Sequence, residues 1–306
     1  MIIIKDIVIL LVSIIVIGKG AVWLVDAAAR VAKHFGISEL VIGLTVVAFG
    51  TSAPEFGVTI LAAIRGMGDI SVGNIVGSNI FNLGFILGGT AIIHSLKTSR
   101  TIVFRDGIFL LFGGILLSVF LWDLTLSKIE GIILFTLLVL YLLYLYFNKE
   151  TIETEEPTHA MYRWDPILLF AGIGLVIVGS HFLVESAVSI ARFMGVSDWV
   201  IGATIIAAGT SAPEFATSLT AAMKSRYGMS VGNLIGSDIF NLFGVLGIAG
   251  IMRNLSVSHD AHINLIILSF MIAVVLIFMR TGWVVSRKEG IILVMIGLLR
   301  WIYSFS

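Results

Sequence analysis

The heptapeptide Gly50-Thr51-Ser52-Ala53-Pro54-Glu55-Phe56 returns as Gly209-Thr210-Ser211-Ala212-Pro213-Glu214-Phe215, 159 residues further along the chain. The same offset carries Gly73-Asn74 onto Gly232-Asn233, and Gly77-Ser78-x-Ile80-Phe81-Asn82-Leu83 onto Gly236-Ser237-x-Ile239-Phe240-Asn241-Leu242. Asp6 and Asp165 keep it, as do Glu130-Gly131 and Glu289-Gly290. An ungapped register over nearly a whole half marks an internal duplication. The fold must therefore be one that half the chain builds twice.

Composition says where it is built. Of 306 residues 58% are hydrophobic and 12% charged, against about 45–50% and about 25% in soluble domains. That excess cannot be hidden in a water-soluble globule. Apolar runs long enough for about 30 Å of hydrocarbon fall at 7–29, 39–64, 70–93, 103–122 and 129–147, then at 166–191, 198–223, 229–252, 261–280 and 288–304. The runs are continuous rather than alternating, which excludes a β-barrel. The first is too long for a signal-peptide core and is read as a span. The reading is an all-α membrane protein of ten transmembrane helices. Nineteen Lys+Arg balance nineteen Asp+Glu, so charge points to no nucleic-acid partner. The absence of cysteine removes disulfides, thiolate metal sites and cysteine nucleophiles.

One polar stretch, carrying Glu150, Glu153, Glu155 and Glu156, divides the chain. It gives a first five-helix repeat at 1–147 with its core motif at 43–83, an acidic linker at 148–163, and a second repeat at 164–306 with its motif at 202–242. Five spans is an odd number, so the second repeat must enter the bilayer upside down, an inverted repeat of the kind secondary transporters use. Orientation follows from loop cations. Lys5, Arg65, Lys128, Arg192, Arg253 and Arg300 lie on the side of the N-terminus. Twice as many lie opposite: Arg30, Lys33, Lys97, Arg100, Arg105, Lys149, Arg163, Lys224, Arg226, Arg280, Arg287 and Lys288. Both termini are expected outside a cell membrane, with the linker in the cytoplasm.

Glu55 and Glu214 fall well inside the second and seventh spans. A charge at that depth costs at least ~2.5–3.5 kcal/mol and usually marks an ion pathway. No Lys or Arg lies at comparable depth in those spans, so the simplest partner is a cation. Pro54 has no N–H for the Gly50 carbonyl and its ring crowds that carbonyl. The helix is expected to open there, freeing carbonyls from about Ala48 to Thr51, and Pro213 should do the same from Ala207 to Thr210. Both spans would thus be broken at the ion site. Thr51 and Glu55 share a helix face, as do Ser78 and Asn82, and the copies Thr210/Glu214 and Ser237/Asn241 repeat this. Hydroxyls, amide oxygens, carbonyls and two carboxylates around one centre suit hard cations such as Ca²⁺. The lack of Cys or His argues against zinc or copper.

Simpler readings stand beside these. Ser52-x-x-Glu55 and Ser211-x-x-Glu214 are also capping boxes, although a cap supplies no positive charge. The glycines from Gly73 to Gly88 suit close helix packing. Gly66-Met67-Gly68-Asp69 matches a string of intramembrane aspartyl proteases, but the second membrane aspartate is missing, and Asp69 is expected to cap the third helix. Asp26 and Glu185 are equivalent and suit interfacial anchoring or helix pairing. His181 has Val22 as its counterpart and gains no role from symmetry. Asp238 stands where the first copy has Asn79, and either adds a third negative charge or proton carrier, or bonds a neighbouring helix.

The two motifs, Gly-Thr-Ser-Ala-Pro-Glu followed by Gly-Asn-x-x-Gly-Ser-x-Ile-Phe-Asn, together resemble the paired α-repeats of the sodium/calcium exchanger family, within the cation/Ca²⁺ antiporter superfamily. The resemblance covers both halves and is that of a compact prokaryotic member without the regulatory domain. It implies a Ca²⁺ position formed by Glu55 and Glu214 with the backbone oxygens of Thr51 and Thr210. It implies flanking Na⁺ positions from Ala48, Ser52 and Ser237 on one side, and Ala207, Ser211 and Ser78 on the other. Asn82 and Asn241 match the two remaining midplane positions. Asn241 stands where some prokaryotic and potassium-dependent relatives have Asp, which speaks against potassium dependence. The implied activity is exchange of three Na⁺ for one Ca²⁺ by alternating access, the first and sixth spans sliding past the core. The transported ions and the lipid bilayer are the implied partners, with no cofactor, no catalytic residue and no obligate protein partner. A Ca²⁺/H⁺ antiporter is the alternative, although proton-coupled relatives carry Gly-Asn-x-x-Glu where this chain has Thr-Ser-Ala-Pro-Glu. A cation channel is a third class, disfavoured by duplication within a single chain.

Overall fold

The structure, a computed structural model, describes residues 2–148, 160–196, 201, 205 and 207–303. Most of the expected acidic linker and the start of the seventh expected span lie outside the described residues. The chain is helical: α1 (Ile2–Phe35), α2 (Glu39–Thr51), α3 (Ala53–Ile64), α4 (Gly68–Ile93), α5 (Ile102–Asp123) and α6 (Lys128–Phe147), then α7 (Asp165–Phe193), α8 (Ala212–Met223), α9 (Tyr227–Met252), α10 (His259–Arg280) and α11 (Arg287–Tyr303). Seven of these helices are long and apolar enough to cross a membrane, and α2 with α3, bent by 52° at their junction, makes an eighth. Against the ten expected spans, α11 is present with 17 residues, and the seventh is described only from a single turn, Ala207–Gly209, into α8.

Short polar signals set the ends of these apolar helices. Ser127 caps α6 reciprocally with Glu130: the hydroxyl accepts the Glu130 N–H and the carboxylate accepts the Ser127 N–H. Six of the seven left-handed backbone positions among the described residues fall in pairs 159 residues apart: Gly36 with Gly195, Gly66 with Ser225, and Leu124 with Trp283; Gly282 stands alone. Ser225, Leu124 and Trp283 accept a conformation that favours glycine. The turn geometry of one half is therefore repeated in the other even where the residue type is not.

Two short antiparallel ribbons repeat the offset too. Leu96–Lys97 (β1) pairs with Val284–Val285 (β4), and Thr125–Leu126 (β2) pairs with Leu255–Ser256 (β3). They tie α4–α5 to α10–α11 at one end and α5–α6 to α9–α10 at the other. The innermost helices are α4 and α9, whose Val72, Ile75, Ile80, Leu83, Leu234, Ile235, Ile239 and Phe243 centre the main apolar core. Large apolar side chains on α1, α6 and α11 face outward, as a lipid-facing shell requires.

Outside this core, α1 and α7 pack along each other, and they run antiparallel. Arg30 near the end of α1 forks onto Asp165 at the start of α7 at 2.9 and 2.7 Å. At the opposite end Ser189 of α7 donates to Asp6 of α1 at 2.5 Å. Arg30 and Ser189 are equivalent positions, as are Asp165 and Asp6. Midway, a Cβ on Gly172 would stand 2.8 Å from the Gly20 carbonyl and 2.7 Å from the Leu24 nitrogen, so glycine lets the two backbones meet.

Among the described residues, the stretches Gly43–Val47, Asn82–Leu87, Ile102–Gly107 and Phe240–Val245 widen to π-type turns. Such turns recur at functional sites. Two of them contain Asn82 and Asn241.

Candidate ion-binding site

The break in the second span falls one residue later than the sequence suggested. α2 runs on through Thr51, the Ala48 carbonyl still accepts the Ser52 N–H at 3.0 Å, and the chain turns at Ser52 (φ −78°, ψ 8°) before α3 begins. The expected freeing of the Ala48 carbonyl is thus corrected: proline at the second position of a new helix spoils only the turn just before it. Ser211 takes the same conformation (φ −89°, ψ 9°) ahead of α8. Each glutamate therefore sits in the first turn of a helix that starts inside the protein.

Neither serine caps that helix; each reaches across to the other copy. Ser52 Oγ donates to Glu214 Oε1 at 3.1 Å and Ser211 Oγ donates to Glu55 Oε1 at 3.1 Å. Both carboxylates are wholly buried and lie close enough to repel one another. Ser237 adds a 3.4 Å contact to Glu214 Oε1. Thr51 Oγ1 lies 3.5 Å from Ser237 Oγ and 3.3 Å from the Ala48 carbonyl. The set Ala48, Thr51, Ser52, Ser237 and Glu214 is thus one cluster. Thr210 bonds Glu55 beside Ser211. The side chain of Ala207 lies outside the description, and Ser78 lines a lateral cleft of about 250 Å³ between α4 and α11 with Asn74, Gly77 and Arg300.

Asn74 and Asn233, which the sequence marks only as repeats, pin the broken helices at the glutamates. Asn74 donates to Thr59 Oγ1 at 2.9 Å and to the Glu55 carbonyl at 3.3 Å. Asn233 donates to Ser218 Oγ at 2.9 Å and to the Glu214 carbonyl at 3.5 Å. A polar residue exactly repeated in a glycine-rich stretch was the available signal. Asn82 and Asn241 are buried where α4 and α9 cross, and Asp238 bonds Asn82 of the facing helix at 2.9 Å.

The remaining polar capacity is what defines the site. Among the described residues, the buried side-chain atoms without a hydrogen-bond partner include Oε2 of Glu55, Oε2 of Glu214, Oδ2 of Asp238, Oδ1 of Asn82 and Oδ1 of Asn241. All five are carboxylate or amide oxygens, which accept. Buried acceptors left without donors are costly, and the group that satisfies several at once is a cation.

The other candidates resolve differently. Asp69 lies in the first turn of α4, not at its cap, and accepts the Ser258 N–H at 2.7 Å. Asp26 pairs with Lys224 across helices at 2.7 Å. Glu185 and His181 are both exposed, 3.9 Å apart on one face of α7.

Broken helices that meet at two buried carboxylates inside an all-helical membrane protein form a site suited to a cation. Comparison with known proteins identifies the family. A family model described as sodium/calcium exchanger protein matches residues 5–147 and 164–301. The chain is 32% identical to the sodium/calcium exchanger MaX1 of Methanosarcina acetivorans, over 94% of this chain and 95% of that protein. It is 33% identical to the putative antiporter CaxA of Alkalimonas amylolytica, over 93% and 94%. The solved structure of the sodium-calcium exchanger NCX_Mj, soaked with zero Na⁺ and Ca²⁺, superposes with a TM-score of 0.88 at 31% identity, covering 99% of this chain and 100% of that one. The chain belongs to the sodium/calcium exchanger family.

Proposed function

We propose that this protein is an electrogenic antiporter that exchanges Na⁺ for Ca²⁺ by alternating access, with Ca²⁺ held between Glu55 and Glu214. The observation that carries the reading is the set of unpartnered buried carboxylate and amide oxygens, which includes Oε2 of Glu55 and Oε2 of Glu214, contributed by different copies of one motif. Two ionised glutamates bring a charge that one Ca²⁺ neutralises. Three Na⁺ would replace it with one positive charge moved per cycle. The empty pair is costly to carry through a bilayer, so exchange is favoured over uniport.

Thr51 and Thr210 complete the Ca²⁺ position through backbone oxygens, with Asn82 and Asn241 at the midplane. Ala48, Ser52 and Ser237 form one Na⁺ position, and Ala207, Ser211 and Ser78 the other. Ser52 spends its only proton on Glu214, which turns the lone pairs of its oxygen toward an incoming ion. Ser211 does the same at Glu55.

Ten spans in two inverted five-helix repeats, 1–147 and 164–306 with motifs at 43–83 and 202–242, are the topology of this reading. The antiparallel course of α1 and its equivalent α7 supports it, as do the ribbons and turns repeated at the 159-residue offset. Both termini face outward and the linker 148–163 is cytoplasmic. Two ends of unequal closure support alternating access: α1 packs on α8 and Asp26 pairs with Lys224. The equivalent pair, Glu185 and Arg65, is not joined among the described residues, and an open cleft of about 470 Å³ runs beside Val184, Glu185 and Val188. We read this as the outward-facing state, in which α1 and α7 are the sliding pair.

The test is Ca²⁺ flux in proteoliposomes with Na⁺ and pH gradients imposed separately. Uptake driven by an outward Na⁺ gradient, and lost in Glu55→Gln and in Glu214→Gln, is the expected result. Uptake that ignores Na⁺ and follows the pH gradient would make the protein a Ca²⁺/H⁺ antiporter.

A further inference from the structure

Where α4 crosses α9, three amide contacts join the two copies. Asn79 Nδ2 donates to the backbone carbonyl of Asp238 at 3.1 Å. Asn241 Nδ2 donates to Asn79 Oδ1 at 3.0 Å. Asn82 Nδ2 donates to Asp238 Oδ1 at 2.9 Å. All four side chains are buried.

An asparagine amide has two chemically different ends, and a structure alone does not distinguish them. Here the partners do. A backbone carbonyl only accepts, so Asn79 must turn its NH₂ toward Asp238 and its oxygen toward Asn241. Asn241 must then offer its own NH₂, which turns Oδ1 the other way. Asn82 is oriented likewise by the Asp238 carboxyl oxygen. The consequence is the one observed: Asn82 Oδ1 and Asn241 Oδ1 are the buried amide oxygens left without partners. The residue doing the orienting is in each case the equivalent position of the opposite copy, Asn79 for Asn241 and Asp238 for Asn82.

We propose that Asn79 and Asp238 are positioning residues that aim the amide oxygens of Asn82 and Asn241 at the transported cation. The proposal rests on the reading of the site given above. It assigns a use to the Asn-Ile-Phe-Asn and Asp-Ile-Phe-Asn strings as units: the first residue holds an amide of the other copy, and the last presents its own oxygen. Oδ1 of Asp238 is occupied by Asn82, while its Oδ2 is buried without a partner; what Asn82 takes from Asp238 is the acceptor at Oδ1, which asparagine supplies equally well. Asparagine would in addition bring an N–H for the Asn79 carbonyl, completing the pattern that Asn79 makes with the Asp238 carbonyl.

The experiment compares Asp238→Asn, Asp238→Leu, Asn79→Leu and the exchange Asn79→Asp/Asp238→Asn in proteoliposomes, with the wild type and Glu55→Gln alongside. Each is read for the Ca²⁺ KM, the maximal rate, and the thermal shift produced by Ca²⁺ on the purified protein. Loss of an oriented oxygen ligand should raise KM about tenfold or more in the two leucine variants, with a smaller Ca²⁺ thermal shift. Asp238→Asn and the exchange variant should stay within about threefold of wild type, since both keep an acceptor at each position. If Asp238→Asn is as damaging as Asp238→Leu, the carboxylate itself is what the ion uses and the proposal is wrong. A lost exchange variant overturns it too, and that result stands even where the leucine variants do not fold. Unchanged KM in folded leucine variants overturns it as well. A failure of the transport reading looks different: wild type without gradient-driven uptake, or Glu55→Gln with uptake intact.

Discussion

Ser52 Oγ donates to Oε1 of Glu214 at 3.1 Å, and Ser211 Oγ donates to Oε1 of Glu55 over the same distance. The serine three residues before each glutamate thus serves the glutamate of the other copy. A capping box would have closed each serine onto its own helix; here the two halves are joined across the proposed ion site, so the position of one carboxylate is tied to the backbone break of the other.

Removing one of these hydroxyls should be felt at both ions. Ser52→Ala leaves Glu214 with one donor fewer and removes an oxygen from the proposed Na⁺ position. A hydrogen bond to a charged group is worth about 1.5–3 kcal/mol, so the Na⁺ concentration for half-maximal exchange should rise roughly tenfold. Ser211→Ala should match it. Flux titrated with Na⁺ at fixed Ca²⁺ checks this, and an unshifted titration in both variants would remove the serines from the site.

Ca²⁺ should stabilise the folded protein through the same pair. A ligand at 100 times its Kd adds about 2.7 kcal/mol to a folded state that alone binds it. Thermal unfolding in detergent should therefore move upward with Ca²⁺ in the wild type and stay put in Glu55→Gln and Glu214→Gln. Without Ca²⁺ these variants should unfold no earlier than the wild type, because the substitution removes buried negative charge. A Ca²⁺ shift that survives in both would place the ion elsewhere.

How much of this was readable beforehand follows from what repeats in the sequence. The duplicated motifs disclose Glu55, Glu214 and their serines, and Pro54 discloses a break close by. Which serine meets which glutamate depends on how two halves dock, and no string of residues within one half records that. The opening, expected from about Ala48 to Thr51, comes at Ser52, whose N–H still bonds the Ala48 carbonyl. Asn79 was hidden for another reason: its role is to orient Asn241, 162 residues away, so it looks like filler until the helices cross.

The ion pairs at the helix ends should differ sharply in cost. Asp26 and Lys224 are each about one-third exposed, and such pairs contribute roughly 0–1 kcal/mol. Arg30 forks onto an Asp165 side chain that is fully buried, and removing one partner of a buried pair costs about 3–5 kcal/mol. Arg30→Ala should lower the unfolding temperature severely and Lys224→Ala slightly. Thermal unfolding of both proteins side by side is the check; equal losses would mean that the burial of Asp165 carries no penalty.

The unequal ends of the molecule should be visible to a labelling reagent. The chain has no cysteine, so a single one introduced at Val188, beside the cleft along α7, reports without background. In the proposed orientation a membrane-impermeant maleimide should reach Val188→Cys from outside the cell and not from the cytoplasm. Adding Lys224→Gln removes the pair that holds α1 at the opposite end, so the state open outward loses part of its advantage and the labelling rate should fall. An exposed pair supplies only about 0–1 kcal/mol, which limits the fall to about fivefold. Labelling from the cytoplasmic side alone would invert the assigned topology, and a rate indifferent to Lys224→Gln would show that the Asp26 contact does not favour one state over the other.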